Sequence, residues 1–453
     1  MPPKRASKLT LAAIAICALL APISDWAGDS DRIRATVPFD GVPYQYATAD
    51  RVVMCGDLHG NLDALYTILR HANLIDSEGH WSGGKALFVS PGDILDGNKE
   101  SVLILNYMIE LQKEAREAGG DVITTAGNHE VMVTEGDVLH VTKEEAKFYQ
   151  DAVPEEHEVN SIHAFLGPDT ERGRYMRSLN MISKITQSWQ EPDASGNLVP
   201  RSRTVIAVHA GLDKTALQVP FEEYNSTLRA WMRYWEYKER TLQLINAQLK
   251  DKDFDPRLRK ELKKALKKLE EGQLPLADEH GAIVERPPNN TAWVVGYDGK
   301  ERAFDRAAVR SPVWARFNRI ILDKKTGKPL DKLNPGAMTR EEFNRLLERE
   351  GANLMVVGHE PVPDDRKLKV PRQIRYHPQA PADTLINMDT RIGWEADRSV
   401  GGTISYLTMD KGIVTFHNDI PRPKDATRAS VRMATGAVTG CMVKGIKRYL
   451  NGK

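Results

Sequence analysis

Residues 51–61 read RVVMCGDLHGN. Arg51-Val52-Val53-Met54-Cys55 has the length and β-branched content of a short buried strand, and Gly56 and Gly60 bracket a tight turn that presents Asp57 and His59. One such turn says little. The same arrangement, however, returns along the chain. Ala86–Val89 runs into PGDILDGN with Asp93 and Asp96, and Asp121–Thr125 runs into AGNHE with Asn128, His129 and Glu130. Thr204–Val208 ends at His209-Ala210-Gly211, and Asn353–Val357 ends at Gly358-His359-Glu360-Pro361. Ligands of open α/β sheets bind beyond the carboxyl ends of the strands, so these polar tips are expected to converge on one crevice.

The 453 residues are 41% hydrophobic and 28% charged with a formal charge of +1, an ordinary globular composition that points neither to nucleic acid nor to an acidic ligand. The start is different. Lys4, Arg5 and Lys8 precede an apolar run from Leu9 to Ile23, the layout of a secretory signal and short for a membrane span. Export (secretion, periplasm or secretory pathway) is the expectation, with an uncleaved anchor as the alternative. Cys17 follows Ile16, where a lipoprotein signal calls for a small residue, so lipidation is the minor reading. Only Cys55 and Cys441 lie beyond that segment, which excludes a disulfide framework; Cys55, at the end of a core strand, reads as an inert buried thiol.

Because the tips run from Asp57 to His359, one catalytic core spans most of the chain and the stretches between them are insertions. NLDALYTILRHANLI and SVLILNYMIELQKEA follow the first two turns with helical spacing of their apolar residues, so strand, ligand turn and helix form the repeated α/β unit. Leu228, Trp231, Met232, Trp235, Leu242, Ile245 and Leu249 mark a helix, and Asp255-Pro256 starts a second carrying Leu258, Leu262, Leu266 and Leu269. The pair predicts a charged helical hairpin, either a solvated insertion or a lid or docking arm. The expected organisation is an N-terminal signal or anchor at 1–30, a core in two parts at 31–213 and 311–420, the helical insertion at 214–310, and a basic tail at 421–453. After Asp425 the tail has no acidic residue but keeps Arg428, Arg432, Lys444, Lys447, Arg448 and Lys453. Membrane contact is expected only through the N-terminal segment or this tail.

Carboxylates from Asp57 and Asp93, imidazoles from His59, His209 and His359 and the amide oxygen of Asn128 form a mixed O/N set suited to Mn, Fe, Zn or Ni rather than Ca. Six ligands exceed the needs of one small catalytic ion. Two ions about 3.5 to 4 Å apart, sharing a bridging carboxylate, fit better and would make a metal-bound hydroxide as nucleophile.

Taken in order, GDLHG, GDILDG, GNHE, HAG and GHEP resemble the signature of the calcineurin-like metallophosphoesterases, specifically the phosphoprotein phosphatase branch. AGNHEVM and HANLIDSEGHWSGGKALFVSPGDILDG resemble the Shewanella-like protein phosphatases more closely than the calcineurin or type 1 enzymes. The resemblance implies two mixed central sheets flanked by helices, two divalent or trivalent transition-metal ions (Mn, Fe or Zn), and a phosphoprotein or phosphopeptide substrate. It implies that Asp57 and His59 hold the first ion, Asp93 bridges, and Asn128, His209 and His359 hold the second. His129 would be the general acid oriented by Asp96, with Arg316 and Asn128 on the substrate phosphate. Pro361 stands where other metallophosphoesterases carry another histidine, one that the phosphatase branch also lacks.

One departure matters. Where the family's GDxxDRG has an arginine that grips phosphate, this chain has Gly97-Asn98. Losing a charged hydrogen bond costs about tenfold to a hundredfold in phosphate binding unless it is replaced, and Lys99 and Arg391 are the candidate replacements. Two alternatives share the scaffold: hydrolysis of small phosphate esters or dinucleoside polyphosphates, and an inactive metal-binding protein.

Overall fold

The computed structural model describes residues 43–135, 139–151, 166, 170–251, 254–270, 276–277, 283–284, 312–313, 338–361, 375–376, 383–392 and 402–423. Arg316, the N-terminal segment and the tail beyond 423 therefore lie outside the described residues. Among the described residues no helix is long and apolar enough to cross a membrane.

The expected unit of strand, turn and helix opens the core. Strands β1 (Gln45–Thr48) and β2 (Val52–Cys55) lead to helix α1 (Leu62–His71), then β3 (Leu87–Ser90), α2 (Ser101–Glu117), β4 (Asp121–Thr124) and α3 (Asn128–Glu135). Helix α1 starts where it does because the Asn61 side chain accepts a hydrogen bond from the Ala64 N–H, a cap that contributes about 1 kcal/mol. The same amide donates to the Ile392 carbonyl at 2.8 Å, which ties the first ligand turn to a segment 331 positions later. Helices α4 (Lys143–Asp151) and α5 (Glu171–Arg177) precede the long strands β5 (Ile182–Pro192) and β6 (Leu198–Val208). The insertion carries α6 (Phe221–Lys250), α7 (Pro256–Glu270) and the short hairpin β7 (Leu276–Ala277) and β8 (Ile283–Val284), and α8 (Arg340–Glu350) follows it. Strands β9 (Leu354–Val357), β10 (Arg375–Tyr376), β11 (Leu385–Asn387), β12 (Tyr406–Asp410) and β13 (Ile413–His417) complete the order.

The strands make two mixed sheets. One has the order β1-β5-β6-β9-β11-β10 and the other β13-β12-β2-β3-β4. In the second, β2, β3 and β4 run parallel and β12 lies antiparallel against β2, pairing Leu407 with Met54. In the first, β6 and β9 are parallel, with Ile206 opposite Met355. Alternate residues of both sheets meet in a shared apolar layer: Val52, Met54, Val89 and Ile123 from one, Val205, Ala207, Val356 and Ile386 from the other. The two-residue period of a strand puts the other set (Val53, Phe88, Val122) on the opposite face, where it is also buried, so these strands read as unbroken apolar runs. Cys55 is fully buried, and desolvation pushes its thiol up to about 12, which leaves it inert at neutral pH.

The chain divides into two compact units, a larger one built on Pro43–Leu228 with the described residues after Asn290, and one containing Arg229–Asn289. In the smaller unit Tyr234, Tyr237 and Ile245 of α6 pack with Leu262, Ala265 and Leu269 of α7 and Leu276 of β7. Asp255 accepts from the Arg257 N–H at 2.7 Å, and the Arg259 guanidinium donates to the carbonyls of Leu249 and Asp251, closing the turn between the helices. The helical stripe first seen at Leu228 begins earlier, at Phe221.

Candidate metal centre

Every polar tip sits at the carboxyl end of its strand. Asp57 and His59 follow β2, Asp93 and Asp96 follow β3, Asn128 and His129 open α3 just past β4, His209 follows β6 and His359 follows β9. The loops are bonded to one another. The N–H groups of Leu58 and His59 donate to the Asp93 carbonyl at 2.9 and 2.8 Å, and the Gly60 N–H donates to Ile94 at 2.7 Å. Gly358 N–H donates to the His209 carbonyl at 2.7 Å, and His359 N–H to Asp57 Oδ2 at 2.8 Å. Those bonds hold loops from both sheets in one arrangement, the preorganisation a site of fixed geometry needs.

The backbone is under local strain there. His59, Asp93, Asp96 and His359 have φ of 44, 52, 61 and 66°, the left-handed region that costs a non-glycine residue roughly 1–2 kcal/mol each. Such outliers persist where surrounding bonds over-determine them. Gly127 is required for a different reason: a Cβ there would run into the Asp93 carboxylate and backbone.

Asp93 lies at the centre. Its Oδ2 is 3.2 Å from His209 Nε2, 3.7 Å from His59 Nε2 and 3.8 Å from His129 Nε2. Two ligand-like groups result, His59 with Asp93 and His129, and Asp93 with His209 and His359, each with its donor atoms within 4.8 Å of one another. His209 Nε2 is also 3.1 Å from Asn128 Oδ1. Asp57 Oδ1 and His209 Nδ1 are buried with no hydrogen-bond partner among the described residues. A buried polar atom left so costs about 1–3 kcal/mol, a cost that a cation would relieve. With its mixture of carboxylate, amide and imidazole, the cluster fits transition-metal ions.

Electrostatics point the same way. Burial, followed by repulsion from Asp389 and Asp93, holds the Asp57 carboxyl well above its ordinary range. Burial also pushes Glu130 up to about 7 and Asp389 up to about 6, with Asp93 adding to both. Asp93 alone goes down: burial opposes its charge, but the imidazoles of His209, His129 and His59 outweigh that. Carboxylates crowded against their own interest are what bound cations compensate. His129 Nδ1 is 2.9 Å from Asp96 Oδ2. Burial by itself would lower that imidazole, yet Asp93 and Asp96 together raise it to about 9. Cations bound in the cluster would pull it the other way.

Three neighbours escaped the sequence reading. Glu130 was quoted there without a role. Its buried carboxylate accepts from the N–H groups of Gly127 (2.8 Å), Asp93 (2.8 Å), Ile94 (2.9 Å) and Leu95 (3.1 Å), locking the GNHE turn onto the GDILD turn. Glutamine offers one acceptor and turns an NH₂ toward donors. Glu130→Gln is therefore expected to lower folding stability by about 2–3 kcal/mol and to reduce bound metal, read by denaturant unfolding and elemental analysis; a change below 0.5 kcal/mol would mean the turns hold without it. Asp389, 4% exposed, follows β11, whose three residues Leu385–Asn387 are a shorter version of the same signal. His140 has no sequence signal at all. Its ring lies 5.0 Å from that of His129, which lies 4.8 Å from His59, so three imidazoles file outward from the buried cluster.

Of the two candidate substitutes for the family arginine, Arg391 is beside the site: its N–H donates to Asp389 Oδ1 at 2.8 Å, and its charge lowers that carboxyl. Lys99 is half-buried. Gly97 has φ +96°, so the position where the family carries arginine is held here in a backbone conformation that favours glycine.

Residues 50–255 match the model of the family described as calcineurin-like phosphoesterase. Over 106 residues, 23% of this chain, the sequence is 41% identical to Shewanella-like protein phosphatase 2 of Arabidopsis thaliana, covering 27% of that protein. Over 137 residues, 30% of this chain, it is 36% identical to Shewanella-like protein phosphatase 1 of Plasmodium berghei (strain Anka), covering 36% of it. The matches thus span about a third of these relatives or less. Among solved structures, the fold is similar to that of a cold-active protein-tyrosine phosphatase of a psychrophilic Shewanella species, at TM-score 0.50 and 22% identity, covering 83% of this chain and 82% of that one.

Proposed function

We propose that this chain, which carries a calcineurin-like phosphoesterase region, is a dinuclear-metal phosphomonoesterase whose substrates are phosphoproteins or phosphopeptides. The observation that carries the reading is Asp93: its carboxylate belongs to both ligand-like groups. Asp57, His59 and Asp93 would hold one ion, and Asp93, Asn128, His209 and His359 the other, with Mn, Fe or Zn as the suitable metals. When bound, two such ions supply Lewis acidity, acidify water and neutralise phosphate charge.

The chain's own residues do the rest. Asp96 fixes the His129 ring through Nδ1 at 2.9 Å and leaves Nε2 for the substrate. With Nδ1 tied to Asp96, His129 is placed to deliver from Nε2 the proton that an alkoxide leaving group needs. Asn128, 3% exposed at the start of α3, adds an amide that orients the phosphate. Arg316 is our further phosphate contact, carried over from the family pattern alone. The protein substrate class is supported by the names of two relatives, the Shewanella-like protein phosphatases of Arabidopsis thaliana and Plasmodium berghei.

The test is a panel of phosphoserine, phosphothreonine and phosphotyrosine peptides with a dinucleoside polyphosphate as competitor substrate, assayed with Mn, Fe and Zn. Peptide turnover is expected to exceed that of the dinucleotide at least tenfold in kcat/KM. A preference for the dinucleotide would replace the protein-phosphatase reading with the small-molecule one, and inactivity with metal bound would leave a scaffold. The basic, apolar N-terminal stretch supports export or anchoring of this enzyme.

A further inference from the structure

Helix α7 is amphipathic in an unusual sense. Its apolar side, Leu262, Ala265 and Leu269, is buried against α6 within its own unit. The opposite side is cationic. Arg257, Lys260, Lys264, Lys267 and Lys268 follow each other at i, i+3, i+7, i+10 and i+11, with Lys263 on the shoulder, and all of them are exposed. At 100° per residue they occupy an arc of about 140°, and along the axis they extend over about 16 Å. Among the described side chains of α7, Glu261 is the acidic residue on the exposed side, and it pairs with Lys264 at 2.7 Å. In a chain of net charge +1 this is a strong local surplus.

We infer that the exposed face of α7 is a docking surface for an anionic phospholipid bilayer. The composition of the face selects that occupant. Five of the six cations are lysines, compact hydrated charges that give no planar fork for a particular phosphate or carboxylate, whereas a site built to recognise one phosphopeptide would favour arginine. The face itself carries no large apolar side chain: Leu262, Leu266 and Leu269 pack in the cluster with α6, and Leu258 is half-buried on the same side of the helix. A straight, predominantly cationic row suits a fluid plane of headgroups, where attraction sums over charges without fixed geometry. The apolar run Leu9–Ile23 with its basic start gives the chain a second membrane-directed signal, and two weak signals together make stable attachment. Helix α7 would then extend the membrane contact beyond the N-terminal segment and tail.

Full-length protein is mixed with phosphatidylcholine vesicles with and without 30% phosphatidylserine, and the bound fraction is measured by sedimentation at low and at high salt. Phosphatidylserine is expected to raise partitioning at least roughly tenfold at low salt and to lose that effect at high salt. The variant K260E/K263E/K268E should lose the phosphatidylserine-dependent part while keeping its thermal melt and phosphatase activity; K260R/K263R/K268R should keep it. Partitioning into phosphatidylcholine alone reports the N-terminal segment and should not differ between variants. If charge reversal leaves the phosphatidylserine dependence intact, the surface is not the binding face. If an acidic phosphopeptide or duplex DNA binds in the same charge-dependent way while the vesicles do not, the partner is another polyanion and the lipid assignment falls.

Discussion

Asp93→Asn will cost the enzyme roughly a thousandfold or more in kcat, the scale set by removing a preorganised charge from a reacting centre. It should also drop bound metal below the two ions per chain expected of the native protein. The substitution isolates charge. Asparagine tolerates the left-handed backbone at φ 52°, and its amide oxygen can still accept the His129 N–H that now reaches Oδ1 at 3.1 Å. What disappears is the negative charge 3.2 Å from His209 and 3.7 Å from His59. Metal content by elemental analysis and turnover of an aryl phosphate are the two readouts. Full metal occupancy with near-normal turnover would remove Asp93 from the shared position.

His129→Asn is expected to divide the substrates. A serine alkoxide is a poor leaving group and a nitrophenolate hardly needs a proton, so phosphoserine peptides should lose about 10²- to 10⁴-fold in kcat and nitrophenyl phosphate much less. Because His129 Nε2 also lies 3.8 Å from Asp93 Oδ2, a ligand role makes a contrary forecast: both substrates fall together and the metal content falls with them. Equal losses would decide for the ligand role.

Much of the core could be read from the chain because its information is local. Each of β2, β3, β4 and β9 is four residues, all or nearly all buried, and each ends beside a group that only a ligand or a partner can satisfy. The helices of the insertion were legible through their Leu and Trp stripe. Of the long hairpin of β5 and β6 only the inner end, Thr204–Val208, was legible, because the outer halves are mostly polar and exposed and their stability comes from pairing 11 residues across a turn. Nor could the sequence place β12 beside β2, a pairing between residues some 350 positions apart, such as Tyr406 with Cys55. At the site, Asp389 was hidden by the brevity of β11. Glu130 was hidden because its function is to bond backbone groups of residues 93 to 95, which no spacing rule connects to position 130.

The tips that gather around Asp93 do not belong to one sheet: β2, β3 and β4 lie in one, β6 and β9 in the other. Ions held jointly by Asp57, His59 and Asp93 on one side and His209 and His359 on the other would therefore act as a clasp across the sandwich, and folding becomes thermodynamically linked to the free metal concentration. Each ion that binds the native chain and not the unfolded one adds RT ln(1 + [M]/Kd), about 1.4 kcal/mol per decade once above Kd. The melting temperature should climb with the logarithm of added Mn or Zn and sink in chelator. Under the proposed export, the surroundings set that concentration, and the supply of a trace metal would then govern how long the protein survives as well as how fast the proposed reaction runs.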